Sequence, residues 1–356
     1  MYDVILSFIT AFTLTYFAIP SIINIADKKN LVDEPGDRRA HKIRTPSLGG
    51  IGIFAGIIFS IVLWTPFNVF GDLQYILCAF IIIFLVGAKD DIIPMLAWKK
   101  LVAQLLAASI LVYRSNVKIT SMYGIFGIGE LPEWLAIAFS IFIILVIINA
   151  FNLIDGINGL SGGVGILMTL IFGSWFYLTG FVSLAVVSFS LCGSILAFLH
   201  YNVTPAKIFM GDTGSLLLGL IAAILALKFI ELQDEVPIDS YRFVAAPAVA
   251  IGIIILPLFD TLRVFTMRVL KGKSPFSPDR THIHHYLIDL GLSHMKATSI
   301  LLSINVLFVL VVFKFDYLGS LRLLGIIMGM AILGIVLLEY LRKRHRANNQ
   351  QIMQSQ

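Results

Sequence analysis

Continuous apolar runs, each about as long as a bilayer is thick, constrain the fold of this chain more than any other feature. A helix needs about 20 apolar residues to cross the hydrocarbon core. Eleven such runs are legible, near residues 4–25, 48–66, 72–88, 98–113, 134–150, 160–179, 183–200, 213–231, 243–262, 297–313 and 320–341. They are continuous rather than alternating, which excludes the pattern of a membrane β-barrel. Only 13% of the 356 residues are charged and mean hydropathy is +0.92, too little polarity to clothe soluble domains. The expected fold class is all-α: a polytopic integral membrane protein of about 10–11 transmembrane helices. Residues 1–345 read as a single domain, and 346–356 as a polar, disordered tail. The short turn Tyr177-Leu-Thr-Gly180 makes the sixth and seventh runs a hairpin. Cys78 and Cys192 lie inside apolar runs and read as small core residues without a disulfide. The first run lacks the basic start and small-residue cleavage site of a signal peptide, so it reads as a retained helix.

Orientation follows from the basic residues of the loops. With the N-terminus outside, 20 of the 26 Lys and Arg residues fall on the cytoplasmic side. The C-terminus is then cytoplasmic too. The net charge of +5 becomes a basic cytoplasmic face. Contact with anionic lipid accounts for the tail Arg342-Lys-Arg-His-Arg346, and nothing here suggests a nucleic-acid partner.

That same side collects every unusual polar motif. Asp33-Glu-Pro-Gly-Asp-Arg-Arg-Ala-His-Lys42 leads into Thr45-Pro-Ser-Leu-Gly-Gly50, and taken alone it reads as an inside-positive loop with a helix start. Asp90-Asp91 ends the third run. Adjacent carboxylates shift each other's proton affinity, so one can act as a base while the other stays charged. A helix cap is the plainer account of such a pair. Lys99 and Lys100 follow one loop later and can pair with an acid or hold a phosphate. Asn149, Asn152, Asp155 and Asn158 recur every three residues among Gly156, Gly159, Gly162 and Gly163. On a helix continuing from the membrane, that spacing lines one face with oxygens, more than a glycine-rich packing segment needs. Phe209-Met-Gly-Asp-Thr-Gly-Ser215 opens the eighth run, where Asp212 is either an N-cap or a metal ligand. Acids on one membrane face suit Mg²⁺, which prefers carboxylate and phosphate oxygens, with Mn²⁺ as the alternative. Ser274-Pro-Phe-Ser-Pro-Asp-Arg-Thr-His-Ile-His-His285 gathers three histidines with Arg280. A zinc site ranks below phosphate binding, because no cysteine accompanies them. Together the motifs describe a phosphoryl-transfer site, where catalysis is positioning and charge neutralisation.

As an ordered set, these motifs resemble the polyprenyl-phosphate N-acetylhexosamine-1-phosphate transferases, specifically the branch that initiates O-antigen and teichoic-acid synthesis. The Pro-Phe-Ser-Pro-Asp-Arg-Thr-His-Ile-His-His segment carries the branch assignment. The resemblance implies transfer of HexNAc-1-phosphate, most commonly GlcNAc-1-phosphate, from a UDP-sugar to undecaprenyl phosphate, with release of UMP at the cytoplasmic face of a bacterial inner membrane. It implies catalytic roles for Asp90, Asp91 and Asp155, and metal contacts for Asn152 and Asp212. It implies substrate contacts for Lys100, Asn158, Arg263, Arg280, His282, His284 and His285, and allows a homodimer. Many bacterial members carry Asp where this chain has Asn158, so Asn158 is not expected to be an essential base. The implied route is direct attack of the lipid phosphate on the β-phosphate, against a two-step route through an aspartyl-phosphate. The phospho-MurNAc-pentapeptide transferase of peptidoglycan synthesis is the alternative within the family. A cation-coupled transporter is the alternative outside it, disfavoured because the acids sit at one face and no repeat is visible.

Overall fold

The computed structural model describes residues 2–31, 45–66, 71, 73–203, 205–237, 241–272 and 281–354. Its helices are α1 (Tyr2–Lys28), α2 (Gly49–Trp64), α3 (Leu73–Ile92), α4 (Ala97–Arg114), α5 (Glu133–Ile154), α6 (Leu160–Leu178), α7 (Val182–Asn202), α8 (Gly211–Glu231), α9 (Ala246–Ile253), α10 (Ile255–Leu270), α11 (Ile283–Asp289), α12 (His294–Lys314) and α13 (Ser320–Gln354). Each of the eleven apolar runs lies on one or two of these helices. Seven are long and apolar enough to span a membrane, and α9 with α10 makes an eighth if that bent pair is one span. The other three are α2, only 16 residues long, and α3 and α4, whose ends carry the Asp90-Asp91 and Lys99-Lys100 pairs. The chain is an all-α, multi-pass membrane protein.

The core is organised around α8. Of its apolar stretch 89% is buried, against 17% for α13, so α8 is enclosed by protein while α13 presents most of its surface outward. Helices α3, α5 and α2 pack on α8, and α1 and α7 close the other side of α2. Close approach at the start of α8 depends on glycine. A Cβ on Gly50 would stand 2.1 Å from the Gly214 nitrogen, and one on Gly87 2.5 Å from the Thr213 Cα. The Pro46–Gly50 segment runs beside residues 209–210 through Phe209 N–H to Pro46 O, Gly49 N–H to Phe209 O and Gly50 N–H to Met210 O.

The ninth run is not straight. It bends by 83° between α9 and α10. Pro257 has no N–H to offer the carbonyl of Ile253, so the helix ladder fails there. Asn305 of α12 repairs the break: its Nδ2 donates to Ile253 O at 2.9 Å, and its Oδ1 accepts from Leu256 N–H at 3.4 Å. An orphaned carbonyl is costly in a membrane, and a side chain from a neighbouring helix removes that cost. The bend redirects α10, whose inward face then carries Asp260, Thr261 and Arg268 and whose outward face carries Leu262, Val269 and Leu270.

Two other expectations change, on Cys78 and on the Asn149–Asn158 row. Cys78 faces outward from the bundle, because its helix is buried along another face; Cys192 is buried, and both are free thiols. Helix α13 continues to Gln354, across the polar tail, whose sequence holds neither Gly nor Pro to stop it. The Asn149–Asn158 row does not continue on one helix, as the site geometry makes plain. The α6–α7 hairpin forms as its turn implies, with Gly180 at φ +87°.

Candidate active site

Asp90, Lys100 and Asp212 form one ion-paired cluster. Asp90 sits in the last turn of α3, Lys100 in the first turn of α4 and Asp212 in the first turn of α8. The Lys100 ammonium donates to Asp90 Oδ2 at 2.7 Å and to Asp212 Oδ2 at 2.6 Å. The other Asp90 oxygen accepts the Met95 N–H at 2.6 Å, which folds the α3–α4 loop back onto it. Asn152, in the last turn of α5, donates through Nδ2 to Asp212 Oδ1 at 3.1 Å and to Ser215 Oγ at 2.9 Å. A second rung, Asn149 Nδ2 to Gln104 Oε1 at 2.9 Å, ties α5 to α4 one turn away and fixes where Lys100 projects.

The Asp-Asp pair divides its labour. Asp91 does not join the lysine cluster. Its Oδ1 accepts the Asp212 N–H at 2.6 Å, and its Oδ2 accepts the Thr213 N–H at 3.0 Å and the Thr213 hydroxyl at 2.5 Å. It therefore caps the start of α8 from another helix, where orphan N–H groups and the helix dipole favour a carboxylate. Gly211, at φ +70°, makes room: a Cβ there would lie 2.1 Å from Ser47 O and 2.6 Å from Asp91 Oδ2.

Helix α5 ends at Ile154. Asp155 has φ −74° and ψ 48°, off the helix, and Gly159 at φ +76° begins α6. Asn149 and Asn152 thus remain on α5, while Asp155 and Asn158 lie in a loop. Four polar residues at one spacing do not extend a helix when glycines break it at Gly156 and Gly159. Asp155 Oδ1 accepts the Ser161 hydroxyl at 2.5 Å. Burial pushes its carboxyl up to about 6 despite that hydrogen bond, and the Asp212 charge adds to the rise. Asn158 is buried, and its carbonyl accepts the Thr298 hydroxyl of α12 at 2.8 Å. Asn202 locks the loop: its Oδ1 accepts Gly159 N–H at 2.8 Å and its Nδ2 donates to Ile208 O at 2.9 Å. Its only sequence signal is an isolated polar residue ending an apolar run.

The histidine segment joins this loop through His284. A Cβ on Gly156 would lie 2.3 Å from His284 Nε2, so only glycine lets the ring lie there. His284 is 2% exposed, and its Nδ1 has no hydrogen-bond partner among the described residues. Burial drives its imidazole down to about 3, with His285 adding to the fall. His284 is therefore neutral at physiological pH, so its ring can form a hydrogen bond but carries no charge. His285 lies against it, with ring centroids 4.3 Å apart, and His282 stacks at 5.7 Å. Arg280 lies outside the described residues. Arg263 donates to Asp260 Oδ1 at 2.9 Å and to Thr281 O, with its guanidinium 5.0 Å from the Tyr286 ring centroid.

Asp260 escaped the sequence reading. It is 2% exposed on α10, holding His282 Nδ1 at 2.8 Å through Oδ2 and accepting the Ile283 N–H at 3.0 Å through Oδ1. The available signal was a lone acid in an apolar run, three residues before an arginine.

Among the described residues, no three His, Cys, Asp or Glu side chains stand close enough to make a ready-built metal cage. The donor set nevertheless fits Mg²⁺, which is commonly held by one or two carboxylates, with substrate phosphates and water completing its shell. Asp90 and Asp212 converge on one cation already, the Lys100 ammonium. Asn152 presents its amide nitrogen to Asp212 in this arrangement, which orients the carboxylate.

Residues 73–230 match the model of glycosyl transferase family 4. A probable undecaprenyl-phosphate N-acetylglucosaminyl 1-phosphate transferase of Bacillus subtilis (strain 168) is 32% identical over 340 residues, covering 88% of this chain and 90% of the relative. An undecaprenyl-phosphate alpha-N-acetylglucosaminyl 1-phosphate transferase of Salmonella typhi is 33% identical, covering 81% of this chain and 77% of the relative. A decaprenyl-phosphate N-acetylglucosaminephosphotransferase of Mycobacterium tuberculosis (strain CDC 1551 / Oshkosh) is 29% identical, covering 82% and 78%.

Proposed function

The chain belongs to glycosyl transferase family 4, and from that membership we propose that it transfers N-acetylglucosamine-1-phosphate from UDP-N-acetylglucosamine to undecaprenyl phosphate, releasing UMP. The product starts a cell-envelope glycan. The relatives' names favour this reading over the peptidoglycan transferase and over a transporter. The observation that carries it is the Lys100 ammonium lying between Asp90 and Asp212 at the start of α8. A carboxylate–ammonium–carboxylate array at a membrane edge suits two phosphate-bearing substrates, one from water and one from lipid. The 20-to-6 distribution of basic residues supports a cytoplasmic site in a bacterial inner membrane.

The acceptor needs little help to ionise. A phosphate monoester has a second pKa of about 6, so much of it is already dianionic at neutral pH. The main task of the site is then to bring two anions together in line. Lys100 supplies positive charge where they meet, and Asp90 holds that ammonium in place. Asp91 fixes the first turn of α8, so that the Asp212 carboxylate projects into the site. Asn152 orients Asp212 through its amide. Asp212 would hold Mg²⁺ together with diphosphate oxygens; bound there, the ion would offset charge growing on the departing UMP. The acceptor oxygen forms the new bond to the β-phosphorus as the bond to UMP breaks. Neutral His284, against Gly156, and His285 beside it give the sugar-phosphate hydrogen bonds.

Purified protein in detergent, given undecaprenyl phosphate, Mg²⁺ and a panel of UDP-sugars, tests the reading. UMP release with UDP-N-acetylglucosamine that requires the lipid is expected. Release that ignores the lipid, or none with any UDP-N-acetylhexosamine, overturns it.

A further inference from the structure

Asp260 makes three contacts where α10 meets the start of α11. Oδ2 takes His282 Nδ1 at 2.8 Å; Oδ1 takes the Ile283 N–H at 3.0 Å and the Arg263 guanidinium at 2.9 Å. Its side chain is 3% exposed, that of His282 7%. An acid so enclosed in an apolar run is expensive unless it is paired, and its pairing here is complete. The partners also share a purpose. Arg263 reaches onward to Thr281 O, so the residues on both sides of His282 are tied to the same carboxylate.

From this geometry we infer that Asp260 is a positioning residue for His282, fixing the proton on Nδ1 and leaving Nε2 as the one ring atom free to act on substrate. A carboxylate can only accept, so the nitrogen facing it must donate. The other nitrogen then carries the lone pair when the ring is neutral, and a donated N–H when it is charged. The same device orients metal-bound and catalytic histidines, where an outer carboxylate sets both tautomer and ring direction. The bend at Pro257 makes the contact possible, since it turns α10 so that Asp260 meets the start of α11. The inference rests on the transferase reading above, through the assumption that His282 faces the sugar-phosphate.

The test is a double-mutant cycle on the full-length protein in detergent. Asp260→Asn keeps shape and one acceptor oxygen, and should lower kcat by about 10- to 100-fold, with KM for UDP-N-acetylglucosamine changed much less. Placed on His282→Ala, the same Asp260→Asn change should cost less than about threefold more, because the residue it acts through is gone. Full kcat in Asp260→Asn, or an undiminished penalty in the His282→Ala background, overturns the inference. If Asp260→Asn does not fold, the unaltered protein still decides. Selective ¹⁵N-histidine NMR, with His282 assigned by His282→Asn, should find the neutral ring protonated at Nδ1. A ring protonated at Nε2 overturns the inference. Absence of UMP release by the unaltered protein would instead fault the transferase reading, and the NMR result would stand apart from it.

Discussion

Asp91 and Asp260 each hold the start of another helix, and the two aspartates serve different ends. Asp91 of α3 spends both oxygens on the Asp212 and Thr213 N–H groups and the Thr213 hydroxyl, so it fixes backbone. Asp260 of α10 takes one N–H of α11 and gives its second oxygen to an imidazole, so it fixes a side chain with chemistry of its own. Asp91 belongs to a conspicuous pair and Asp260 stands alone in an apolar run, yet the solitary residue has the more direct line to a reactive group. A carboxylate near a site is thus classified by what its oxygens accept, not by how prominent it is in the sequence.

The sharpest way to break the comparison is to remove a charge that neither capping aspartate supplies. Asp212→Ala should lower UMP release by about a thousandfold or more while the protein still folds, as judged by its thermal unfolding in detergent. Lys100→Met should cost about a hundredfold in kcat, because it leaves Asp90 and Asp212 facing each other without their shared ammonium. Exchanging the members of the Asp-Asp pair separates the roles. Asp90→Asn should depress turnover with little change in stability, whereas Asp91→Ala should also destabilise by about 1–2 kcal/mol, the worth of a lost helix cap. Equal stability of the two variants would erase the distinction. Gly156→Ala should reduce turnover by displacing His284, whose Nε2 lies 2.3 Å from the new methyl position. The smallest effect concerns Asp155. Its folded carboxyl titrates near 6 rather than 3.8, so the folded state binds more protons across that interval and stability falls as pH rises from 3.8 to about 6. Asp155→Asn should flatten that slope in thermal unfolding measured against pH.

Much of this was legible. All eleven apolar runs lie on helices, and seven or eight of those helices are long and apolar enough to span a membrane; the runs are legible because a continuous apolar stretch is read without knowing its partners. Asp90, Lys100, Asn152 and Asp212 were named from sequence, and the structure brings them into one hydrogen-bonded set. Their division of labour was not legible, since Asp91 meets Thr213 across 122 residues and no local rule encodes that distance. The bend at Pro257 was half visible: proline marks a missing N–H, but the Asn305 side chain that repairs the ladder comes from a helix far along the chain. Asp260 and Asn202 were missed for the same reason. Each is a single polar residue whose meaning depends on a partner that only the packed helices supply.

The central claim is that a phosphorylated sugar, not the sugar alone, passes to the lipid. UDP-N-acetylglucosamine labelled at its β-phosphorus decides this directly when incubated with undecaprenyl phosphate and the purified protein. The account predicts that the label moves into the lipid fraction in step with UMP release. Label retained in UDP, with sugar appearing on the lipid, would contradict it.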